Sequence, residues 1–209
     1  MYLQERYSEL LLKINFNPNE INSLWLDLEK AYCDKYRHYH NLSHLATMIE
    51  LFDIHNSKLN NPSEILYSIF YHDYVYKSTR KDNELKSAEK ALSISPENGI
   101  LNKQLVSYAI CATQAHEQNE IVDINWLIDF DLKILSTSWS EYQIYCNQIR
   151  KEYKIYPNIL YKSGRKKALE HFLENEFIYQ TEEFRQLHEE KARKNIEKEI
   201  LLLTKLREG

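Results

Sequence analysis

The sequence is poor in glycine and proline, with only 3 Gly and 4 Pro among 209 residues. It contains no Gly-rich phosphate-binding loop and no glycine fingerprint of a dinucleotide fold, which excludes those two kinds of nucleotide site. Glycine and proline are also the residues that cost most in a helix interior, so their scarcity favours helices. We therefore predict an all-α protein.

Cysteine and long apolar runs are also scarce. Cys33, Cys111 and Cys146 form no CxxC pair and are odd in number, so we expect reduced, structural thiols. No apolar run approaches the roughly 20 residues that span a bilayer, and no basic region followed by an apolar stretch suggests a signal peptide. These absences predict a cytoplasmic location and no membrane partner.

Neither sign of charge dominates the chain. Lys and Arg number 27 against 31 Asp and Glu, for a formal net charge of -4. Because nucleic-acid-binding domains usually carry a strongly basic surface or stripe, we expect no extended nucleic-acid surface. The length suffices for one sizeable core, and no low-complexity linker interrupts it, so we predict a single domain over residues 1–209.

What the sequence does contain is a series of helix-start signals. Asn17-Pro18-Asn19-Glu20 and Asn61-Pro62-Ser63-Glu64 each place a capping Asn before Pro and Glu. Ser95-Pro96-Glu97 is a variant, and Thr181-Glu182-Glu183 opens the last segment. We predict about ten helices and no strand, with the helices near 2–14, 19–35, 42–57, 62–73, 83–94, 98–116, 122–136, 139–154, 163–175 and 182–206. The long last helix packs on the body along one stripe or, as the alternative, forms the arm of a homodimer.

Side chains that suit a metal ion occur at separate points of the chain. His72 and Asp73 end the apolar helical run 65–71, and an imidazole beside a carboxylate suits a divalent metal. The alternative is a helix-terminal histidine hydrogen-bonded to its neighbour. His40 and His44 stand four residues apart, a spacing that can direct both rings to one side of a helix.

Two carboxylates, Asp129 and Asp131, lie inside the apolar segment 126–135. Buried carboxylates are costly unless they are paired or bound to a cation. A helix-capping role remains an alternative for one of them. His116, at the end of another predicted helix, and Glu84, shortly after His72-Asp73, add further titratable groups.

The order His44, His72-Asp73, Asp131 resembles the H…HD…D signature of the HD-domain superfamily of metal-dependent phosphohydrolases. The chain is similar in particular to a subgroup of small bacterial proteins described as predicted HD-superfamily metal-dependent phosphohydrolases. The similar segments are 39–44, 70–76, 82–88, 129–132, 149–153 and 192–195. Tyr71 and Phe130 depart from the residues expected beside the motifs, but neither is a ligand position. The resemblance implies an HD-domain-like helical bundle.

The resemblance also implies roles for individual residues. The ligands of one divalent cation (Mn, Mg, Co, Ni, Fe or Zn) would be His44, His72, Asp73 and Asp131. Asp73 would also orient the attacking water, and His116 and Glu84 would assist catalysis or hold a second metal. From their own chemistry, Lys77, Arg37 and Arg150 are candidate contacts for the substrate phosphate, since the guanidinium fork matches phosphate oxygens. His40 and Asp129 are candidates for hydrogen bonds that orient the ligands.

The expected function is hydrolysis of a phosphate ester in a small phosphorylated substrate, such as a nucleotide, by a metal-activated water. Two alternatives stay open. HD-type folds also host di-iron oxygenases, which would need a second metal held by His116 and Glu84 among others. A non-catalytic, metal-containing module that binds a nucleotide is the other.

Overall fold

The computed structural model describes residues 2–205, and within that range the chain contains helices and no strand. The ten α-helices are α1 (Tyr2–Lys13), α2 (Pro18–Tyr32), α3 (Leu42–His55), α4 (Pro62–Tyr71), α5 (Asn83–Ile94), α6 (Lys103–Ala112), α7 (Val122–Leu132), α8 (Trp139–Glu152), α9 (Asn158–Glu174) and α10 (Glu182–Lys205). Short 3-10 turns follow α3 and α7. The all-α prediction and the number of helices are confirmed. The predicted last residue of α10, Leu206, lies outside the described residues.

The chain folds into two compact units, one ending at Phe130 and the other beginning at Asp131. The boundary falls inside α7, so Asp131 remains on the helix that belongs mainly to the first unit. The prediction of a single domain over residues 1–209 stays a prediction. Of the helices described, none has both the length and the apolar character needed to cross a bilayer.

The core of the first unit is built around α4. Its residues Ile65–Tyr71 are all buried, which identifies a helix that is covered on every side. Buried tyrosine hydroxyls need hydrogen-bond partners: the hydroxyl of Tyr67 donates to the Ala91 carbonyl at 2.9 Å, and the hydroxyls of Tyr7 and Tyr71 bond to each other. These contacts fix the helix that leads to His72.

The two Asn-Pro signals both mark helix starts, but only one caps its own helix. The side-chain oxygen of Asn17 accepts from the backbone N–H of Asn19 at 3.1 Å, as predicted. Asn61 makes no such cap, and its side-chain amide donates instead to Asp123 Oδ2 at 3.0 Å. The predicted capping role of Asn61 is therefore wrong, because a carboxylate from α7 competes for its side chain.

Helix α6 begins five residues later than predicted. The Ser95-Pro96-Glu97 signal opens only one turn, in which the N–H of Gly99 donates to the Pro96 carbonyl at 3.1 Å. The cap of α6 is Asn102, whose side-chain oxygen accepts from the Leu105 N–H at 3.0 Å. The start of α9 differs in the other direction: it lies at Asn158, five residues before the predicted one, directly after a proline.

The buried carboxylate of Asp123 joins the start of α7 to the start of α4. Its Oδ1 accepts from the backbone N–H of Asn60 at 3.0 Å, and its Oδ2 accepts from that of Asn61 at 2.6 Å. The side-chain amides of the same two asparagines add further bonds. Since α4 and α7 are the helices that lead to His72 and Asp131, this contact places their beginnings together.

Asp123→Asn should destabilise the protein by about 2–3 kcal/mol, because an amide in place of the carboxylate turns one acceptor into a donor facing buried N–H groups. Urea denaturation measures the change. The matched control is Asp27→Asn, on the exposed side of α2, which should leave the stability nearly unchanged. Equal stability of the two variants would contradict the role given to Asp123.

The second unit buries a charged pair between its helices. Arg165 on α9 donates from Nε and Nη2 to both carboxylate oxygens of Glu199 on α10, at 2.8 and 3.0 Å. The hydroxyl of Tyr142 on α8 donates to the same carboxylate at 2.7 Å. Burial by itself would raise the pKa of Glu199, but the Arg165 charge and the hydrogen bonds to the carboxylate outweigh it and hold that pKa below its usual value.

The lowered pKa of Glu199 predicts a loss of stability in acid. A carboxyl whose folded-state pKa lies below the unfolded value of about 4.3 stabilises the fold above that pH, and the contribution disappears as the pH falls through the lower pKa. Glu199→Gln should cost about 3–5 kcal/mol at neutral pH, since it leaves a buried guanidinium without its charge partner. The same substitution should also make the free energy of unfolding fall less steeply as the pH is lowered into the acid range.

Urea denaturation between neutral pH and pH about 3 tests both expectations. Glu190→Gln on the exposed side of the same helix is the control, because it removes a surface carboxylate paired with the exposed Lys194. The assignment fails if the two variants lose stability with the same pH dependence.

Candidate metal centre

His44 lies in the first turn of α3 with its side chain buried. The helix begins where the sequence predicts, because the side-chain oxygen of Asn41 accepts from the Ser43 N–H at 2.8 Å. Leu45 and Ile49 on the same helix are fully buried, as expected. The cap therefore fixes the start of α3 and with it the position of the buried His44 imidazole.

His72 directly follows α4, and its own helix orients its ring. Nδ1 lies 2.8 Å from the carbonyl oxygen of Ile69. Because a carbonyl oxygen can only accept, Nδ1 carries the proton, and a neutral ring then keeps a lone pair on Nε2. A histidine held in this way by a backbone carbonyl is arranged like a typical metal ligand.

Asp131 brings a carboxylate to the same place from the end of α7. One ligand atom from each of His44, His72 and Asp131 lies within 4.8 Å of the other two. The two imidazole rings meet edge to face with centroids 5.4 Å apart. Metal ions hold nitrogen and oxygen ligands at about 2.0–2.2 Å, so small side-chain movements suffice for this group to bind one ion.

The chemistry of the donors fits a divalent transition metal. Imidazole suits Zn, Fe, Cu and Ni, whereas sites for Ca are built almost entirely from oxygen. His72 Nε2 also lies 3.2 Å from Asp73 Oδ2. A ring lone pair and a carboxylate oxygen at that distance repel each other unless a proton or a cation lies between them. Asp73 is outside the three-residue group but lies next to it.

Arg37, predicted to bind substrate, contacts the backbone that follows His72. Its buried guanidinium donates from Nη1 to the Asp73 carbonyl at 2.7 Å and from Nη2 to the Tyr74 carbonyl at 2.8 Å. The guanidinium lies over the rings of Tyr32 and Tyr76. These contacts position Asp73, and they occupy both terminal nitrogens of the fork; the substrate role of Arg37 stays a prediction.

His40 is a neighbour of the group and not a member of it. Its ring stacks on Tyr76 at 4.1 Å and lies 6.1 Å from the ring of His44. Tyr39 packs against His44 at 4.8 Å. The sequence interpretation gave no role to Tyr39 or Tyr76. Both fall in segments that carry the resemblance, and their position beside the predicted site residues was the signal that could have identified them as rings packed around His40 and His44.

Asp129 and Asp131 face different sides of α7, since two residues turn a helix by about 200°. Asp129 is fully buried, and it does not belong to the three-residue group. Its predicted hydrogen bond to a ligand stays a prediction. The sequence alone could not decide which of the two carboxylates joins the histidines.

Glu84 and His116 also lie outside the three-residue group. Glu84 is half-buried in the first turn of α5; the pKa of the Cys111 thiol on α6 is raised by burial and, secondarily, by the nearby Glu84 charge. His116 has a φ of 55°, a left-handed conformation that is uncommon outside glycine. The catalytic roles expected of these two residues stay predictions.

The two remaining substrate candidates lie in different settings. Lys77 is exposed, and the side chain of Asn83 holds its backbone at both N–H and C=O. Arg150, in the second unit, donates to the carbonyls of Tyr153 and Tyr156 and to Asn158 Oδ1. Arg150 thus braces the connection between α8 and α9, and binding of substrate by either residue stays a prediction.

No family model, no curated protein and no solved structure matches this chain. The HD-domain resemblance therefore rests on the motif residues alone. Any function proposed for the chain has to be supported by the geometry of the site.

His44→Ala, His72→Ala and Asp131→Asn should each weaken binding of Mn²⁺ or Zn²⁺ more than about 100-fold, because loss of an outer hydrogen-bond partner alone costs about 10- to 100-fold. Calorimetric titration of the metal-free protein measures the affinity. His171→Ala is the control, since this histidine is exposed on α9. Metal binding by folded His72→Ala with unchanged affinity would rule out the assigned ligands.

Proposed function

We propose that the protein is a metal-dependent phosphohydrolase with one divalent cation held by His44, His72 and Asp131. The observation that carries the proposal is the approach of these three ligand atoms to within 4.8 Å of one another. Catalytic metal sites commonly have three protein ligands and keep a position open for water or substrate. A site with two imidazoles and one carboxylate meets that description.

The cation would supply Lewis-acid chemistry, lowering the pKa of a bound water and offsetting negative charge on a phosphoryl oxygen. The protein's own contribution begins with orientation. The bond between His72 Nδ1 and the Ile69 carbonyl holds the ring in the tautomer that leaves Nε2 available. The burial of His44 and His72 excludes bulk water, which strengthens electrostatic interactions at the site.

Asp73 is the residue that we assign to proton transfer. Its carboxylate is largely buried and reaches within 3.2 Å of His72 Nε2, so it lies beside the ligand group with an oxygen able to accept a proton from the attacking water. Arg37 fixes the Asp73 main chain through its carbonyl. The backbone is thereby prevented from carrying the carboxylate away from the water it orients.

The substrate class is a small phosphorylated molecule, of which nucleotides are one kind. A phosphate ester brings oxygens that a cation can bind and a leaving group that hydrolysis can release. Lys77, exposed four residues beyond Asp73, provides a positive charge on the same stretch of chain. A lysine there would attract phosphate without the geometric demands of an arginine fork.

Asp73→Asn should lower kcat by about 100- to 10,000-fold, the range typical of losing a general acid or base, while bound metal remains. The measurement is a panel of phosphomonoesters and phosphodiesters assayed with Mn²⁺, Mg²⁺, Co²⁺ and Ni²⁺, together with elemental analysis of each preparation. Asp27→Asn, an exposed change, should keep wild-type rates.

Absence of turnover by the metal-loaded protein, or turnover that Asp73→Asn leaves intact, would overturn the enzyme assignment. The same elemental analysis should find one ion per chain. Two coupled iron ions would favour the di-iron oxygenase, and tight nucleotide binding without turnover would favour a binding module.

A further inference from the structure

The connection between α8 and α9 displays three aliphatic side chains within six residues. Ile155 is 67% exposed, Ile159 is 76% exposed and Leu160 is 61% exposed. Ile155 lies in the connection itself, and the other two lie in the first turn of α9. Single exposed aliphatic residues are common on protein surfaces, whereas a larger exposed apolar surface marks a site of contact, and three such residues so close in sequence are a candidate for one.

The charge around these side chains is positive. Residues 151–162 contain three lysines and a single acidic residue, Glu152, which is buried. The excess is opposite in sign to the formal net charge of -4. Lys151 and Lys154 are exposed next to Ile155, and Lys162 follows Leu160.

Arg150 braces this connection through hydrogen bonds and a cation–π contact. Its guanidinium donates to the Tyr153 carbonyl at 2.8 Å and to Asn158 Oδ1 at 2.7 Å, and it packs over the ring of Tyr161 at 4.6 Å. All of these acceptors are uncharged, so Arg150 braces the turn without cancelling its positive charge. The backbone that carries the aliphatic side chains is therefore braced by Arg150.

We propose that residues 151–162, the basic tip, bind the surface of an anionic phospholipid bilayer. Lysines would contact the negatively charged headgroups while the three aliphatic side chains enter the boundary between headgroups and acyl chains. This inference is independent of the proposed enzymatic function. The expectation of no membrane partner rested on the length of apolar runs, a criterion that does not detect a peripheral contact.

A bilayer fits the basic tip better than a nucleic acid does. Single-stranded nucleic acids bind proteins largely by stacking bases on aromatic rings. The tyrosines of this segment, Tyr153, Tyr156 and Tyr161, are partly or fully buried, and the exposed side chains are aliphatic. Aliphatic side chains gain most from an apolar medium, which the bilayer supplies.

The test is flotation of the full chain with lipid vesicles, either pure phosphatidylcholine or phosphatidylcholine and phosphatidylglycerol in equal parts. The protein should float with the anionic vesicles only. Binding should weaken between 0.1 M and 1 M salt, because the Debye length falls from about 10 Å to about 3 Å.

Two sets of variants separate the charged and apolar contributions. Lys151→Gln, Lys154→Gln and Lys162→Gln together should weaken binding about 100-fold, at about fivefold for each lysine. Ile155→Ser, Ile159→Ser and Leu160→Ser together should weaken it at least about tenfold. The matched controls carry the same changes at exposed positions elsewhere: Lys13, Lys30 and Lys35 to Gln, and Leu12, Ile54 and Ile100 to Ser.

The controls should float like the wild type, and circular dichroism should show that every variant is folded. The proposal is overturned if the wild type stays with the unbound fraction, if it floats equally with neutral vesicles, or if the tip variants float as well as their controls. Binding of a mixed-sequence oligonucleotide through the same lysines, without vesicle binding, would assign the basic tip to nucleic acid instead.

Discussion

The carboxylate of Asp123 accepts hydrogen bonds from the backbones of Asn60 and Asn61, and this contact joins the beginnings of the two helices that lead to His72 and Asp131. Helices are stiff over the ten or so residues that α4 and α7 contain. A tie at one end therefore limits where the side chains at the other end can lie. The tie between the helix beginnings thus contributes to bringing His72 and Asp131, at the far ends, into the same group.

The two units bury a carboxylate in different ways. Asp123 is satisfied by neutral N–H groups of the backbone, whereas Glu199 is satisfied by a guanidinium and a phenol. Backbone donors bring no second charge that must itself be desolvated, and they serve to fix where helices begin. The ion pair carries the larger penalty if one partner is lost, and it ties three helices through their side chains.

The helices were predictable because capping residues and proline act locally, and residues 2–205 contain the ten α-helices that were expected. The errors arose where a distant group decides the outcome, as when Asp123 takes the side chain of Asn61. The resemblance supplied His44, His72 and Asp131, which the fold brings together. It could not reveal that Arg37 and Arg150 donate to backbone carbonyls, because such partners leave no pattern in a sequence.

The hydrogen bond from His72 to the carbonyl of Ile69 has a consequence for the folding of the chain. That carbonyl belongs to the last turn of α4, so the ring is oriented only while this turn is formed. Helix ends are the parts of a helix that fray most readily. A bound ion would therefore suppress fraying, and slower exchange of the amide protons in that turn would accompany occupancy of the site. Binding of the ion and formation of the last turn of α4 would therefore be thermodynamically coupled.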